Sequence, residues 1–144
     1  MPLLVFVFVF GTLKEGFPNF GANTGTRMPG TFVTKERYPL YLVGERHSPW
    51  MINTPGQGEH VVGQIFQVEP DALRRMDILE RASEPDGYDR IPIQVKSQSF
   101  EPGSELAAHA YLKHPRNLKG AKIMIGPFRE YTHEYAALYR NRAL

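Results

Sequence analysis

The sequence predicts an α+β domain built from several short strands and a few helices. Twelve prolines and thirteen glycines in 144 residues imply many turns, which suit short strands better than a helical bundle. Apolar runs of strand composition recur along the chain, whereas one segment near its middle has helical spacing. At this length we expect one domain, residues 1–144, whose core needs no disulfides.

The composition excludes several classes of site. The chain has no cysteine, so disulfides, thiolate metal sites and a cysteine nucleophile are ruled out, and a reducing compartment fits. A formal net charge of +2 is too small to indicate a nucleic-acid partner. The apolar N-terminal run lacks a basic flank and is too short to span a bilayer. We therefore expect a cytoplasmic protein with no membrane partner.

The first predicted strand, residues 3–10, is an uninterrupted run of leucine, valine and phenylalanine. Branched and aromatic residues favour strands, and the lack of polar alternation indicates a strand covered on both faces. Gly11-Thr12-Leu13 ends this strand, and residues 15–30 are rich in turn formers and are predicted to form a loop. A buried strand that delivers a small glycine loop can present backbone N–H groups to a ligand.

Three more strands are predicted in the next third of the chain. Residues 31–34 and 38–43 have the composition of short strands, and residues 61–68 that of a longer one. The segment between them, residues 44–58, is predicted to be irregular because of its turn residues. It holds Trp50, which is interpreted as core or loop packing, with a pocket wall as the alternative.

The most informative segment is a helix predicted from Pro70 to about Arg81. Proline suits the first helical position because its missing N–H costs nothing there. On a wheel of about 100° per residue, Glu80 falls inside the apolar sector formed by Ala72, Leu73, Met76 and Leu79. A buried carboxylate tends to have a raised pKa, which suits a general base near neutral pH. A structural ion pair with Arg90, or a rotated helix that leaves Glu80 at its edge, is an equal alternative.

The remaining third predicts a hairpin and a C-terminal helix. Residues 88–95 form a strand in which Tyr88 and Arg90 share one line of side chains, either bracing Glu80 or lying at the strand entrance. Residues 106–112 are its predicted partner. An aromatic stripe at helical spacing predicts an amphipathic helix whose face packs on the domain: Phe128, Tyr131, Tyr135, Leu138 and Tyr139.

The usual catalytic motifs are absent from the sequence. Gly11 and Gly16 have the spacing of a phosphate-binding loop, but Phe17-Pro18 stands where the lysine and hydroxyl residue are required. The five histidines are scattered without a metal-binding spacing, so no metal site is expected. The remaining candidate functional groups are the core-directed carboxylate of Glu80 and the backbone N–H groups of the Gly11-Thr12-Leu13 loop.

Residues 7–16 resemble the V-Y-G-T-L-K-x-G opening of the gamma-glutamylcyclotransferase-like superfamily. The best match within it is the gamma-glutamylaminecyclotransferase branch, alongside the plant avirulence-induced-gene proteins. Further matching segments follow in the expected order, at residues 38–40, 49–50, 55–58, 62–66, 73–80 and 88–90. The resemblance covers about the first two thirds of the chain.

The resemblance implies a small, partly open mixed β-barrel flanked by helices, with the site at its mouth and no cofactor. It implies that Glu80 takes a proton from the α-ammonium of a gamma-glutamyl group and that the freed amine attacks its own γ-carbonyl. The products are 5-oxoproline and a free amine. Backbone N–H groups of the loop from Phe10 through Gly11 and Thr12 to Leu13 would hold the substrate carboxylate and carbonyl oxygen. Tyr88 and Arg90 are further candidate substrate-binding residues.

One departure from the family pattern concerns Phe10, where the family usually has tyrosine. If the lost hydroxyl binds substrate, activity or preference changes, and if only the backbone matters, phenylalanine is harmless. A non-catalytic protein that keeps the fold and binds a small molecule is therefore the alternative function. A third hypothesis, a partner-binding protein, requires that the C-terminal stripe be exposed at Tyr131, Tyr135 and Leu138.

Overall fold

The computed structural model describes residues 4–99 and 103–140. Within these residues the strands are Val5–Val9 (β1), Thr26–Arg27 (β2), Phe32–Thr34 (β3), Leu40–Val43 (β4), Ser48–Met51 (β5), Val62–Val68 (β6), Asp89–Ser97 (β7), Glu105–Leu112 (β8) and Ile123–Ile125 (β9). The α-helices are Pro70–Leu79 (α1) and His133–Ala136 (α2), and two short 3₁₀ helices lie at Phe20–Ala22 and Pro115–Leu118. No helix in these two ranges is both long and apolar enough to cross a membrane.

Five strands close into a barrel in the order β1-β8-β7-β3-β6, and β6 returns to pair with β1. The pairing is mixed, because β1 runs parallel to β8 while the other neighbours are antiparallel. β2 adds a short extra strand beside β6. The predicted α+β mixed barrel is therefore confirmed, and the ladder between β1 and β6 closes the ring that was expected to be partly open.

Strand β1 is covered on both faces, as its unbroken apolar run predicted. Phe8 faces a core cluster with Ile65 and Val95 from the neighbouring strands. Val7 faces a second cluster, in which Met76 of α1 takes part. The alternation of strand side chains thus places one apolar layer inside the barrel and the other beneath the helix. Residue 3, predicted to open this strand, lies outside the described residues.

A second, three-stranded sheet has the order β5-β4-β9. Its strand β5, at Ser48–Met51, corrects the prediction that residues 44–58 are irregular. This segment contains a proline and has no apolar alternation, so its own composition does not favour a strand. It is extended because it pairs antiparallel with β4, with Tyr41 opposite Trp50. Long-range pairing therefore overrides local preference here.

Helix α1 starts at Pro70 as predicted and ends one residue before Glu80. Its end is a Schellman motif, in which the Ala82 N–H donates to Asp77 O over 2.9 Å and the Arg81 N–H to Ile78 O over 3.1 Å. Ile78 is 77% exposed, as the wheel predicted, but Leu79 is 47% exposed rather than buried. Leu79 lines a cavity instead of the core, so the apolar sector of the wheel is wider than the buried face of the helix.

The predicted C-terminal helix is wrong in its extent, because α2 has only four residues. Tyr131 precedes it and is fully buried, whereas Leu138 follows it and is 41% exposed. Tyr135 packs on Phe128 with ring centroids 4.4 Å apart. These side chains do not share one exposed face, so the partner-binding hypothesis loses the observation that motivated it.

Candidate active site

A cavity of about 930 Å³ opens where β1 ends. This volume lies near the upper end of the roughly 300–1,000 Å³ typical of small-molecule sites. Its wall combines the loop after β1, the Trp50 region of β5 and the end of α1. The structure brings six of the seven predicted site residues to this one cavity: Phe10, Gly11, Thr12, Leu13, Glu80 and Tyr88.

The loop Gly11-Thr12-Leu13 has its carbonyl groups occupied and its N–H groups available. The Lys14 N–H donates to Gly11 O over 3.1 Å and the Asn19 N–H to Thr12 O over 2.8 Å. Asn23 Nδ2 donates to Leu13 O over 3.1 Å. Within the described part of the chain, no group accepts a hydrogen bond from the three loop N–H groups. Unpaired backbone donors on a cavity wall are suited to a ligand oxygen.

Gly11 is needed for the close approach of this loop to the opposite wall. A Cβ atom at this position would lie 2.7 Å from Pro49 Cγ, which is inside the contact distance of two carbon atoms. Glycine therefore lets the loop pack directly against β5.

Glu80 is the C-cap residue of α1, so its backbone position is fixed from two sides. Its N–H donates to Met76 O over 2.9 Å, and its carbonyl accepts from the Tyr88 N–H over 3.0 Å. Tyr88 in turn donates its hydroxyl to Pro49 O over 3.2 Å. The side chain of Glu80 is partly buried and lines the cavity, which agrees with the inward direction expected from the helical wheel.

Arg90 is the predicted site residue that does not line the cavity. Its Nε lies 2.9 Å from Asp77 Oδ1, so its ion pair is with Asp77 rather than with Glu80. The Tyr111 hydroxyl donates to the same oxygen over 2.6 Å. Burial, followed by this hydrogen bond, raises the pKa of Tyr111 well above its ordinary value. The sequence correctly indicated that Arg90 lies beside α1. It could not show whether Arg90 pairs with Asp77 or with Glu80, because the two acids are three residues apart on the same segment.

Lys113 is a cavity residue that sequence reasoning missed. It is only 5% exposed, and its Nζ donates to Asp86 O over 2.5 Å. The same Nζ lies 4.4 Å from the Trp50 ring centroid and 4.5 Å from that of Tyr88. Nothing in the sequence around a lysine that follows a strand predicts that the lysine is buried. Lys113 is recognised as a cavity residue only because the Trp50 and Tyr88 rings both lie close to its ammonium in the folded structure.

The cavity wall also includes Asn19, Arg46 and Tyr139, which were not predicted as site residues. They come from segments far apart in sequence, and each belongs to a stretch interpreted as loop or packing face. Within the described residues, no three His, Cys, Asp or Glu side chains converge into a group that could hold a metal ion.

Comparison with known proteins relates this chain to a family. A family model described as "Gamma-glutamyl cyclotransferase, AIG2-like" matches residues 7–130. The chain belongs to this family. The family that the sequence motifs predicted is therefore confirmed, and Tyr139 lies outside the matched residues.

Individual family members agree with this assignment. Rat gamma-glutamylaminecyclotransferase (Rattus norvegicus) is 33% identical over 114 residues, covering 73% of this chain and 75% of the relative. The human protein of the same name (Homo sapiens) is 36% identical over 108 residues, covering 71% and 69%. The crystal structure of an AIG2-like protein from mouse (Mus musculus) superposes with a TM-score of 0.79 at 29% identity, covering 96% of this chain and 97% of that one.

Proposed function

We propose that this chain is a gamma-glutamyl cyclotransferase that converts a gamma-glutamyl amine or isopeptide into 5-oxoproline and the free amine. The observation that carries the proposal is that Glu80 borders the same cavity as the N–H groups of Gly11-Thr12-Leu13, which have no acceptor among the described residues. The names of the curated relatives favour this reading over a non-catalytic binding protein. We expect no cofactor, because the nucleophile and the leaving group both belong to the substrate.

In the proposed mechanism, the Glu80 carboxylate removes a proton from the α-ammonium of the bound gamma-glutamyl group. The freed amine attacks the γ-carbonyl carbon, a C–N bond forms, and the carbonyl electron pair moves to oxygen. The loop N–H groups of Thr12 and Leu13 stabilise this oxyanion. The tetrahedral carbon then collapses and expels the leaving nitrogen, which takes the proton from Glu80. The carboxylate is thereby restored. The ring nitrogen still carries two hydrogens and a positive charge, and it loses one of them to the released amine, which departs as an ammonium. No atom is gained or lost.

Positioning supplies much of the rate in this scheme, because the attack closes a five-membered ring within one molecule. The cavity walls are suited to hold that folded conformation. The loop is anchored through its carbonyl groups, and Trp50 and Tyr88 are held by the buried ammonium of Lys113. The Lys113 charge also favours an anionic substrate in the same cavity.

Phe10 is compatible with this mechanism. Its ring is buried and lies 6.5 Å from that of Phe8, centroid to centroid. The loop donors that follow it are backbone groups, which do not depend on the side chain at position 10. We therefore propose that phenylalanine here preserves the oxyanion site.

The test is 5-oxoproline release from a panel of gamma-glutamyl amines, with Glu80→Gln as the decisive variant. Loss of the general acid–base should lower kcat about 10²- to 10⁴-fold. Glu69→Gln makes the same chemical change at the exposed first end of α1, away from the cavity, and should keep wild-type turnover. Equal turnover by Glu80→Gln would remove Glu80 from the mechanism, and no turnover of any substrate by the wild type would refute the proposed function.

A further inference from the structure

The Tyr139 hydroxyl oxygen accepts two hydrogen bonds, while its own hydrogen has no acceptor among the described residues. Its oxygen accepts from Asn19 Nδ2 over 3.2 Å and from Arg46 Nη2 over 3.0 Å. Among residues 4–99 and 103–140, no atom accepts the hydrogen of this hydroxyl. A phenol has one hydrogen to donate, so Tyr139 offers a donor on the cavity wall.

The Thr12 hydroxyl repeats this arrangement on the glycine loop. Asn19 Nδ2 donates to Thr12 Oγ1 over 2.9 Å, so the two hydrogens of the Asn19 amide go to two different hydroxyl oxygens. The described residues provide no acceptor for the Thr12 hydroxyl hydrogen either. Asn19 thus orients two hydroxyl groups as donors, and all three side chains line the cavity.

Arg46 adds a positive charge to the same wall. Its Nε donates to Arg140 O over 3.0 Å, and one Nη2 hydrogen goes to Tyr139. In the described part of the chain, no carboxylate oxygen lies within 4 Å of the guanidinium. The wall formed by Thr12, Arg46 and Tyr139 therefore presents hydrogen-bond donors and a cation that have no matching acceptor or anion among the residues that the structure describes.

We propose that Tyr139 and Arg46, with Thr12, bind a carboxylate group of the substrate. A carboxylate is acceptor-only and anionic, and it forms its strongest hydrogen bonds with charged or hydroxyl donors. The proposal rests on the proposed function for the gamma-glutamyl nature of the ligand. Tyr139 lies beyond residues 7–130, which the family model matches, so that match assigns no role to Tyr139.

Two carboxylates of a gamma-glutamyl compound could occupy this wall. One is the α-carboxylate of the glutamyl half, which every such substrate carries. The other belongs to the leaving group when that group is an amino acid rather than a plain amine. Gamma-glutamylalanine and gamma-glutamylethylamine differ only by the second carboxylate, so they separate these two sources.

The experiment measures calorimetric Kd values for both compounds in the Glu80→Gln background, which separates binding from turnover. Tyr139→Phe removes one oxygen atom, and loss of a hydrogen bond to a charged group should weaken binding about 10- to 100-fold. Tyr135→Phe is the matched control, because Tyr135 lies on the same segment, packs on Phe128 and does not line the cavity. Arg46→Lys keeps the positive charge but loses the planar guanidinium, which donates hydrogen bonds through several nitrogens. It is the second variant if Tyr139→Phe does not fold.

Each outcome decides the proposal. Weaker binding of both compounds by Tyr139→Phe places the α-carboxylate at this wall, and weaker binding of gamma-glutamylalanine alone places the leaving-group carboxylate there. Unchanged Kd values for both compounds, or a loss equal to that of Tyr135→Phe, would overturn it. If the compounds bind in this way but the wild type releases no 5-oxoproline, the proposed function fails and the carboxylate site stands.

Discussion

Tyr111 donates its hydroxyl hydrogen to Asp77 over 2.6 Å, and this bond joins β8 to the last turn of α1. Arg90 of β7 donates to the same carboxylate oxygen over 2.9 Å. Asp77 lies three residues before Glu80, so two barrel strands hold the end of the helix through one carboxylate. The position of Glu80 in the cavity therefore depends on a partly buried polar cluster as well as on apolar packing.

Replacing Tyr111 by phenylalanine should weaken this connection. The change removes one hydrogen bond to a charged group, so the free energy of unfolding should fall by about 1.5–3 kcal/mol, measured by urea denaturation. Because the end of α1 is less well held, kcat should fall as well. Tyr41→Phe is the control, since no described residue hydrogen-bonds to its hydroxyl, and it should change stability by less than about 0.5 kcal/mol. An unchanged midpoint for Tyr111→Phe would contradict this role.

Replacing Tyr131 by phenylalanine should raise the free energy of unfolding, whereas the same replacement at Tyr111 should lower it. The side chain of Tyr131 is fully buried, and its hydroxyl has no hydrogen-bond partner within the described residues. Burial also raises the pKa of Tyr131 above its ordinary value. Tyr131→Phe removes an unsatisfied polar group, so the free energy of unfolding should rise by about 1 kcal/mol. A clear loss of stability in the same denaturation assay would show that the hydroxyl is paired.

Lys14 should make stability depend on pH between 8 and 10. Its side chain is 4% exposed and its Nζ donates to Tyr131 O over 2.5 Å, and burial lowers the pKa of Lys14 from 10.5 to about 8. In this interval the unfolded chain holds the proton and the folded chain does not. The free energy of unfolding should therefore rise with pH, by up to about 1.4 kcal/mol per unit, and fall as the pH returns to 8.

The variant that tests this dependence is Lys14→Met, measured by denaturant titrations at pH 7, 8, 9 and 10. It should flatten the rise, whereas Lys35→Met, at a more exposed site paired with Glu105, should keep it. A rise of equal slope in Lys14→Met would assign the pH dependence to another group.

Arg81 adopts a left-handed backbone conformation, with φ at 56°, directly after Glu80. Glycine accepts this conformation at a helix C-terminus without a Cβ clash. Arg81→Gly should therefore be about 0.5–1 kcal/mol more stable than Arg81→Ala. Both variants lose the exposed ion pair with Asp86, so the comparison isolates the backbone. Thermal melts that rank alanine equal to or above glycine would contradict this prediction.

Most strands and the start of α1 could be predicted from sequence because their signals are local. The unbroken apolar run before Gly11 requires cover on both faces, and the barrel and α1 provide it. Pro70 begins the helix where its missing N–H costs nothing. Strands β2, β5 and β9 were not predicted, because they are extended through pairing with strands β6 and β4. The C-terminal helix was predicted, but longer than the four residues of α2.

The sequence alone determined the family, the mixed barrel and the two elements that meet at the cavity, the loop after β1 and the helix that carries Glu80. The strands and the helix follow from composition and periodicity, which are properties of neighbouring residues, whereas the family and the barrel follow from the resemblance of the ordered motifs to a known family. Only the tertiary structure decided that Arg90 pairs with Asp77, that Lys113 lies between two aromatic rings, and that Arg46 meets Tyr139, 93 residues away. Such contacts form only once the barrel closes and brings distant segments together, so no local spacing encodes them.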